Sequence, residues 1–326
     1  MTSPPAGRMI PTLAYNALNR SVRVCSTRAG AAVWGRLWDH AWRHWSGTVT
    51  TELHGRRVTV NAGYPYPMLM RRWPTYNDPL VEVVHQAAIA RGHAVTVVDV
   101  GGAVGDTALL LLDRAGDAVS QVWCVEGDEE FFALLRQNVA GLDRVRTWRA
   151  LLSDGEGPEA SLERIHRGTA SAQGTAQTAA TTMDSLLGGE VGSIGVVKVD
   201  TDGFDGKVLA GAAALLDRDR PAVIFEWHPK LYVATGNDWM RPLRSLASHD
   251  YDRFVWFTKF GELSHIAHGV DAGSVEELAR VCLDDAGPAL DWHYDVVALH
   301  STSPISASDL AALRIARARR GGRPRP

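Results

Sequence analysis

The sequence lacks several features that would restrict its class. No apolar run approaches the length of a membrane span, and the opening residues M-T-S-P-P-A-G-R show no basic segment followed by an apolar one. We therefore predict no membrane anchor and no secretory signal. Only three cysteines occur in 326 residues, namely Cys25, Cys124 and Cys282. Their wide spacing predicts reduced thiols in a cytoplasmic protein, rather than disulfides or a zinc site.

An excess of one charge is also missing. Charged residues make up 22% of the chain and the formal net charge is −3, which is ordinary for a soluble protein. This balance gives no basic footprint for nucleic acid. The composition of residues 307–326 predicts a helical end followed by a disordered basic tail. We expect no nucleic-acid partner and no membrane partner, and a homodimer is left open.

The most informative stretch runs from Val95 to Leu112 and reads V-T-V-V-D-V-G-G-A-V-G-D-T-A-L-L-L-L. An apolar β-branched run ends at Asp99, glycines follow, and a leucine-rich helical pattern begins at Asp106. A strand, a glycine turn and a helix form the first unit of a nucleotide-binding α/β sheet. The dinucleotide pattern G-x-G-x-x-G fails, because Ala103 and Asp106 occupy the positions of its second and third glycines.

Acidic residues end the predicted strands that follow. Glu126 ends the second strand, where a carboxylate can accept hydrogen bonds from a ribose diol. Asp200 and Glu226 end two later strands. Because parallel strands present their carboxyl ends at one edge of a sheet, we expect these acids and Asp99 to line the same site.

The segment before this domain predicts a helical and β-hairpin extension over residues 1–77. Tryptophans at positions 34, 38, 42 and 45 fall on one helix face, which favours packing against the main domain over a ligand wall. His40 and His44 lie on a neighbouring face and are expected to be exposed. His54-Gly55 separates two β-branched runs and predicts a hairpin. The aromatic loop after it should contribute to the substrate mouth, with contacts from Tyr64, Tyr66, Tyr76 and Asn77, although a purely structural loop explains it equally well.

Residues 155–182 are small and polar, and too little of the stretch is apolar to pack well. We therefore expect a mobile loop there. A last set of strands and helices, ending near residue 306, completes the domain that begins at residue 78.

The motifs together resemble the FkbM-type family of class I S-adenosylmethionine (SAM) methyltransferases. In order along the chain they are V-D-V-G-x-x-x-G-D, V-E-G-D-x-x-x-F-x-x-L-x-x-N, A-L-L-S-D, T-x-D-S-L, K-V-D-T-D-G-F-D-x-x-V-L-x-G-A and I-F-E, all between Val97 and Glu226. The chain departs from the family at Asp205, where glutamate is usual, and at Gly127, where proline is common. The resemblance implies a Rossmann-like, seven-stranded, mostly parallel sheet with helices on both faces.

The resemblance also implies SAM as cofactor and a sugar or small natural product as the hydroxyl acceptor. The glycine loop is expected to hold the methionine end of SAM, Glu126 the ribose, and the turn at Asp154 the adenine. The predicted cofactor residues are Asp99, Gly101, Gly102, Gly105, Asp106, Thr107, Glu126, Gly127, Asp128, Ser153, Asp154 and Asp200. Gly101→Val is expected to abolish SAM binding in a folded protein, because a branched side chain would fill ligand space.

Methyl transfer to oxygen requires a general base behind the methyl group. Asp200, Asp202, Glu226 and His228 are the candidates, and His228 is slightly favoured for its intrinsic pKa near neutrality and as an acceptor contact. Its ring is expected to project from the sheet edge. These oxygen and nitrogen ligands could also hold Mg²⁺, but no ligand spacing specific to a metal is visible, so a metal-free mechanism is preferred.

Two other classes of function stay open. A nucleotide-dependent oxidoreductase has only the strand–glycine–helix unit in its favour. A binding module that retains the fold without catalysis would keep the same glycines and acids.

Overall fold

The computed structural model describes residues 12–22, 33–38, 40, 45, 47–166, 169–190, 192–284 and 292–311, and for residues 158–178 the backbone alone. Cys25, Trp42 and His44 lie outside the described residues, as do residues 1–11 and the basic tail from residue 312. Within the described ranges, every helix is too short or too polar to cross a bilayer.

The strands are Thr48–Leu53 (β1), Arg56–Asn61 (β2), Val95–Val100 (β3), Val119–Glu126 (β4), Val145–Arg149 (β5), Leu151–Leu152 (β6), Gly157–His166 (β7), Thr169–Thr181 (β8), Ile194–Val199 (β9), Ala222–Trp227 (β10), Tyr251–Thr258 (β11), Leu263–His268 (β12) and Tyr294–His300 (β13). The helices are Thr12–Ser21 (α1), Tyr66–Arg72 (α2), Asp78–Arg91 (α3), Asp106–Arg114 (α4), Glu129–Asn138 (α5), Met183–Leu187 (α6), Asp205–Ala210 (α7), Ala213–Asp219 (α8), Pro229–Ala234 (α9), Arg241–Ser248 (α10) and Ala272–Leu283 (α11). A 3₁₀ turn covers Gly116–Ala118.

The central sheet has the order β12-β11-β13-β10-β9-β3-β4-β5. The strands from β10 to β5 pair in parallel, and β13 runs antiparallel between β10 and β11. This confirms the predicted Rossmann-like α/β fold. The sheet nevertheless has eight strands where seven were predicted, because β12 folds back on β11 as an additional antiparallel edge strand.

Packing on both faces explains the near-continuous apolar strands. Every residue of β3 is buried, as expected for a central parallel strand. One core cluster packs α7, α8, α10 and α11 on one face of the sheet, and a second packs α3 and α4 on the other. Because helices cover both faces, the edge at the carboxyl ends of the parallel strands is the place where a ligand can bind.

A third core cluster attaches the N-terminal extension to the domain. Trp34 and Trp38 are buried, and their rings stack at 5.6 Å with an interplanar angle of 5°. They share a cluster with hairpin residues and with Leu109 of α4 and Phe131 of α5. Trp45 is partly buried against the same cluster, so the three described tryptophans pack against the main domain as predicted, and His40 is exposed. The predicted hairpin at His54-Gly55 is also present as β1 and β2.

The prediction of a mobile loop over residues 155–182 was wrong. Strands β7 and β8 form an antiparallel hairpin there, and β8 pairs in parallel with β6. The loop was predicted because the stretch has few apolar side chains to bury. Threonine-rich segments can nevertheless form strands through backbone pairing. The register shifts repeatedly along this hairpin.

Candidate active site

The candidate active site is a cavity at the carboxyl ends of β3, β4, β9 and β10, the location that an open parallel sheet reserves for ligands. Among the described residues its lining includes six carboxylates and one lysine, namely Asp106, Glu126, Asp200, Asp202, Glu226, Asp295 and Lys198. Six carboxyl groups against one ammonium favour a cationic ligand, whose charge in turn favours their ionised form. SAM, with its sulfonium and ammonium groups, is such a ligand.

The glycine turn is fixed against both neighbouring strands. The backbone N–H groups of Gly101 and Gly102 donate to the carbonyl of Val125, at 2.9 and 3.1 Å. Gly101 has φ +81°, and a Cβ built there would stand 1.9 Å from the Asp200 carbonyl oxygen. This changes the expectation for Gly101→Val: the side chain would collide with the backbone of Asp200, directly after β9, rather than simply fill ligand space.

Gly105 also serves packing. Its φ is +87°, and a Cβ there would stand 3.0 Å from side-chain atoms of both Leu135 and Val139 of α5. Gly105 directly precedes α4, so the absence of a side chain lets the two helices approach each other. Of the three loop glycines, only Gly101 lines the cavity.

Glu126 is held by backbone amides. Its Oε2 accepts from the N–H of Ala103 at 2.8 Å, and its Oε1 accepts from the N–H of Asp128 at 2.7 Å. Burial raises the pKa of Glu126 to about 7, although the two amides act in the opposite direction. Glu126 and Gly127 both line the cavity, so the predicted ribose ligand is accessible to a bound molecule.

Asp99 does not line the cavity but supports a residue that does. It is fully buried, and its Oδ1 lies 3.0 Å from Nζ of Lys198, whose Nζ lies 3.4 Å from Asp200. Burial lowers the pKa of Lys198, but these two carboxylates outweigh burial and raise it well above its usual value. Lys198 therefore stays charged at the floor of the cavity.

The first turn of α4 faces the cavity through Asp106 and Thr107. The hydroxyl of Tyr64 donates to Asp106 Oδ2 at 3.1 Å, which joins the N-terminal extension to the glycine-loop helix. Burial raises the pKa of Asp106 to about 6, with Lys198 acting against the rise.

Three carboxylates crowd the other end of the cavity. Burial and the charges of Asp200 and Asp205 raise the pKa of Asp202 well above its usual value, and Asp202 adopts φ +51°. Burial, with Asp200, Asp202 and further acids, likewise raises the pKa of Glu226. Burial and Asp200 raise the pKa of Asp295 to about 7. A raised pKa makes the ionised form of each of these groups a stronger base.

The aromatic loop reaches the cavity as predicted. Tyr64, Tyr66, Tyr76 and Asn77 all line it, and the Asn77 side-chain amide donates to the Tyr66 hydroxyl at 3.1 Å. Burial raises the pKa of Tyr64 and of Tyr76 well above 10, so both hydroxyls are neutral and are suited to hydrogen bonding rather than to base catalysis.

Several predicted residues do not lie in the cavity lining. Asp128 caps α5, accepting from the N–H groups of Glu130 and Phe131 at 2.9 Å each. Ser153 is buried, and Asp154 is exposed and forms an ion pair with Arg241. In place of the turn, apolar residues of the preceding segment line this side, namely Ala150, Leu151 and Leu152.

His228 is likewise outside the lining. It is 4% exposed and its ring stacks on that of His293, so it does not project freely from the sheet edge. His228 is the residue that precedes α9, at the turn between β10 and this helix.

Sequence reasoning missed Lys198, Asp295 and Phe204 as cavity residues. Lys198 stands inside the K-V-D-T-D-G motif quoted above and could have been assigned as the counter-ion of the strand-end acids. Asp295 reaches the cavity only because β13 pairs antiparallel with β10, placing it opposite Glu226. No local sequence pattern predicts the pairing of β13 with β10.

The donor set fits SAM in two respects, the anionic lining and the carboxylate at Glu126. Metal binding is a separate question. In the described part of the chain, no group of three or more histidine, cysteine or acidic side chains is arranged to hold a metal ion.

Comparison with known families agrees with this geometry. The family model of the methyltransferase FkbM domain matches residues 99–252, which include the glycine loop, Glu126 and the strands β9 and β10. The fold and this match together define a SAM-dependent methyltransferase domain. Residues 99–252 therefore carry an FkbM-type domain, which confirms the resemblance recognised from the motifs. No curated protein matches the chain significantly.

Solved structures give distant matches. Methyltransferase FkbM from Methylobacillus flagellatus is 13% identical with a TM-score of 0.38, over 63% of this chain and 43% of that one. Aeropyrum pernix fibrillarin, solved with S-adenosyl-L-methionine, is 13% identical with a TM-score of 0.38, over 78% and 83%. The O-methyltransferase from Bacillus cereus, in complex with SAH, is 15% identical with a TM-score of 0.37, over 68% and 81%. This chain thus spans less than half the length of the Methylobacillus protein.

Proposed function

We propose that this protein transfers the methyl group of SAM to a hydroxyl of a sugar or small natural product. The observation that carries the proposal is the position of Glu126, held by two backbone amides in the lining of a carboxylate-rich cavity. A ribose diol can donate to such a carboxylate, and the excess of acid suits a cationic methyl donor.

Residues at the Glu126 end would hold SAM. They are Gly101, Asp106, Thr107, Glu126, Gly127 and, on the apolar side, Leu151 and Leu152. When bound, SAM supplies an electrophilic methyl group. The chain's own task is then to place an oxygen nucleophile behind that group and to exclude water.

Glu226 is proposed as the general base, with Asp202 beside it. Both line the cavity, and burial among like charges raises the pKa of each, which makes each carboxylate a stronger base. Glu226 would accept the proton of the acceptor hydroxyl as the oxygen–methyl bond forms. Asp200 is less suited, because it is half exposed and lies near the Lys198 ammonium.

Tyr76 and Asn77 are proposed to orient the acceptor, since they line the cavity from the aromatic loop. A cytoplasmic location and a metal-free reaction stay predictions from the sequence, and a homodimer stays open. EDTA in the assay below tests whether the reaction is metal-free.

The test is a methyl-transfer assay with deuteromethyl-labelled SAM and a panel of sugars, polyols and phenols, read by mass spectrometry. We expect label on an oxygen of at least one acceptor, and a loss of about 100-fold or more in turnover for Glu226→Gln. Asp252→Asn, an exposed acid on β11, is the matched control and should be silent. Label on nitrogen or carbon would contradict oxygen transfer, and SAM binding without transfer to any acceptor would favour the non-catalytic module.

A further inference from the structure

His293 lies beside the acceptor end of the cavity and outside the span that the family model matches. Its Nε2 is 3.3 Å from Oε1 of Glu226, and the residue is only 7% exposed. A ring nitrogen at this distance can donate a proton to the carboxylate oxygen. The geometry therefore allows a charge-assisted hydrogen bond on the residue proposed as base.

A second histidine fixes the first. The rings of His228 and His293 lie 4.7 Å apart with an interplanar angle of 22°, and His228 is 4% exposed. The antiparallel register explains the stack, because Trp227 pairs with Tyr294 and the next positions outward are His228 and His293. Two residues 65 positions apart are thus brought face to face by the pairing of β10 with β13.

Glu226 needs such support. Burial and neighbouring acids favour its protonated form, and a protonated carboxyl cannot accept a proton from an alcohol. A hydrogen-bond donor aimed at one carboxylate oxygen opposes protonation, because it stabilises the ionised form. It also restricts the orientation of the carboxylate. The titratable groups that face Glu226 from the surrounding elements are Asp200, Asp202, Asp205, Tyr76, Tyr232, His293 and Asp295, with His228 behind His293.

We propose that His293, held by the ring of His228, is a positioning residue that orients the Glu226 carboxylate toward the acceptor and keeps it ionised. The inference rests on the proposed function of Glu226 as base. It also gives His228 a role different from that of base: its ring supports His293 rather than touching the acceptor.

The first test needs no acceptor. Histidine-labelled full-length protein is titrated by NMR as wild type and as Glu226→Gln, and the His293 resonance is assigned from its absence in His293→Gln. We expect Glu226→Gln to move the titration midpoint of the His293 ring to lower pH by about one unit or more, since a carboxylate within hydrogen-bond distance stabilises the charged ring. His265, which stacks on Trp256 at 5.3 Å on the far strands, should not respond. An unchanged His293 midpoint would overturn the contact and the proposal.

The second test uses an acceptor identified in the methyl-transfer assay. His293→Ala should lower kcat by about 10–100-fold with an unchanged dissociation constant for SAM, and should move the acidic limb of the pH–rate profile to higher pH. His293→Gln keeps an N–H donor and should recover part of the rate. His228→Phe keeps a stacking ring and should stay near wild type, whereas His228→Ala should not.

The outcomes separate the two proposals. If no acceptor is methylated but the NMR response is found, the positioning contact holds and oxygen methylation fails. If turnover is normal in His293→Ala, with the pH profile unmoved, the positioning role is wrong while the methyltransferase stands. Loss of activity in His228→Phe equal to that in His228→Ala would restore His228 as the base and overturn the stacking role. His265→Ala, a stacked histidine away from the cavity, is the control for general loss of packing.

Discussion

The two ends of the cavity are built in different ways. At the Glu126 end, a carboxylate is held by the amides of Ala103 and Asp128, so its geometry depends on backbone close to it. At the Glu226 end, burial and the charge of Asp200 raise the pKa values of Asp202, Glu226 and Asp295, and these side chains are brought together from distant strands. The comparison indicates that the proposed cofactor end depends on local backbone, whereas the proposed acceptor end depends on side chains from separate strands.

The largest expected effect tests the rigidity of the cofactor end. Gly101→Ala should destabilise the protein by on the order of 3 kcal/mol or more, because its Cβ would meet the Asp200 carbonyl at 1.9 Å in addition to a strained φ. Gly92→Ala is the matched control, since Gly92 has φ +70° with nothing within 4 Å, and should cost about 1–2 kcal/mol. Urea unfolding measures both, and equal losses would mean that β9 tolerates the contact.

The next prediction concerns Glu126 as the ribose ligand. Glu126→Ala should weaken SAM binding by ~1.5–3 kcal/mol, because a charge-assisted acceptor is lost. In the wild type, burial raises the pKa of Glu126 to about 7. Because the ionised carboxylate is the proposed ribose acceptor, SAM affinity should fall by up to tenfold for each pH unit below that value. Glu126→Gln should remove this slope. A dissociation constant independent of both changes would place the ribose elsewhere.

The sequence predicted the Glu126 end better than the Glu226 end, because the first depends on local backbone and the second on distant strands. The glycine loop, the acid at Glu126 and the parallel strands were predicted because their determinants are local: a β-branched run, a turn and an acid at a strand end. Asp295 and His293 were missed because β13 reaches β10 only through antiparallel pairing across about 70 residues, and no periodicity records that. Asp154 and His228 were chosen by position in the motifs, whereas the choice of side chain that reaches the cavity depends on packing. The hairpin β7–β8 was missed because its low apolar content suggested a loop, whereas strands can pair through the backbone without many apolar side chains.

A third prediction tests charge crowding at the acceptor end. Burial raises the pKa of Asp295 to about 7 in the folded state, above the ordinary carboxyl value of the unfolded chain. Its stabilising contribution is therefore complete at low pH and is lost as pH rises from about 4 through about 7. Asp295→Asn should raise the free energy of unfolding at pH 8 by on the order of 1–3 kcal/mol and change it little at pH 4. The exposed Asp252→Asn should show no such difference, and a destabilising Asp295→Asn at pH 8 would argue against crowding.

The smallest effect is expected at Asp154. It is exposed and paired with Arg241, and exposed ion pairs contribute only about 0–1 kcal/mol. Asp154→Asn should change the dissociation constant for SAM by less than about threefold, which corresponds to under ~0.7 kcal/mol. A loss comparable to that of Glu126→Ala would restore Asp154 as an adenine ligand and would extend the cofactor end to this turn.

The central claim is that this cavity binds SAM, and calorimetric titration of the wild-type protein tests it most directly. SAM and NAD are titrated separately at pH 8, with Glu126→Gln beside the wild type. The account predicts saturable binding of SAM, weaker binding to Glu126→Gln, and no heat of binding for NAD. No SAM binding at millimolar concentration, or binding of NAD in its place, would contradict it.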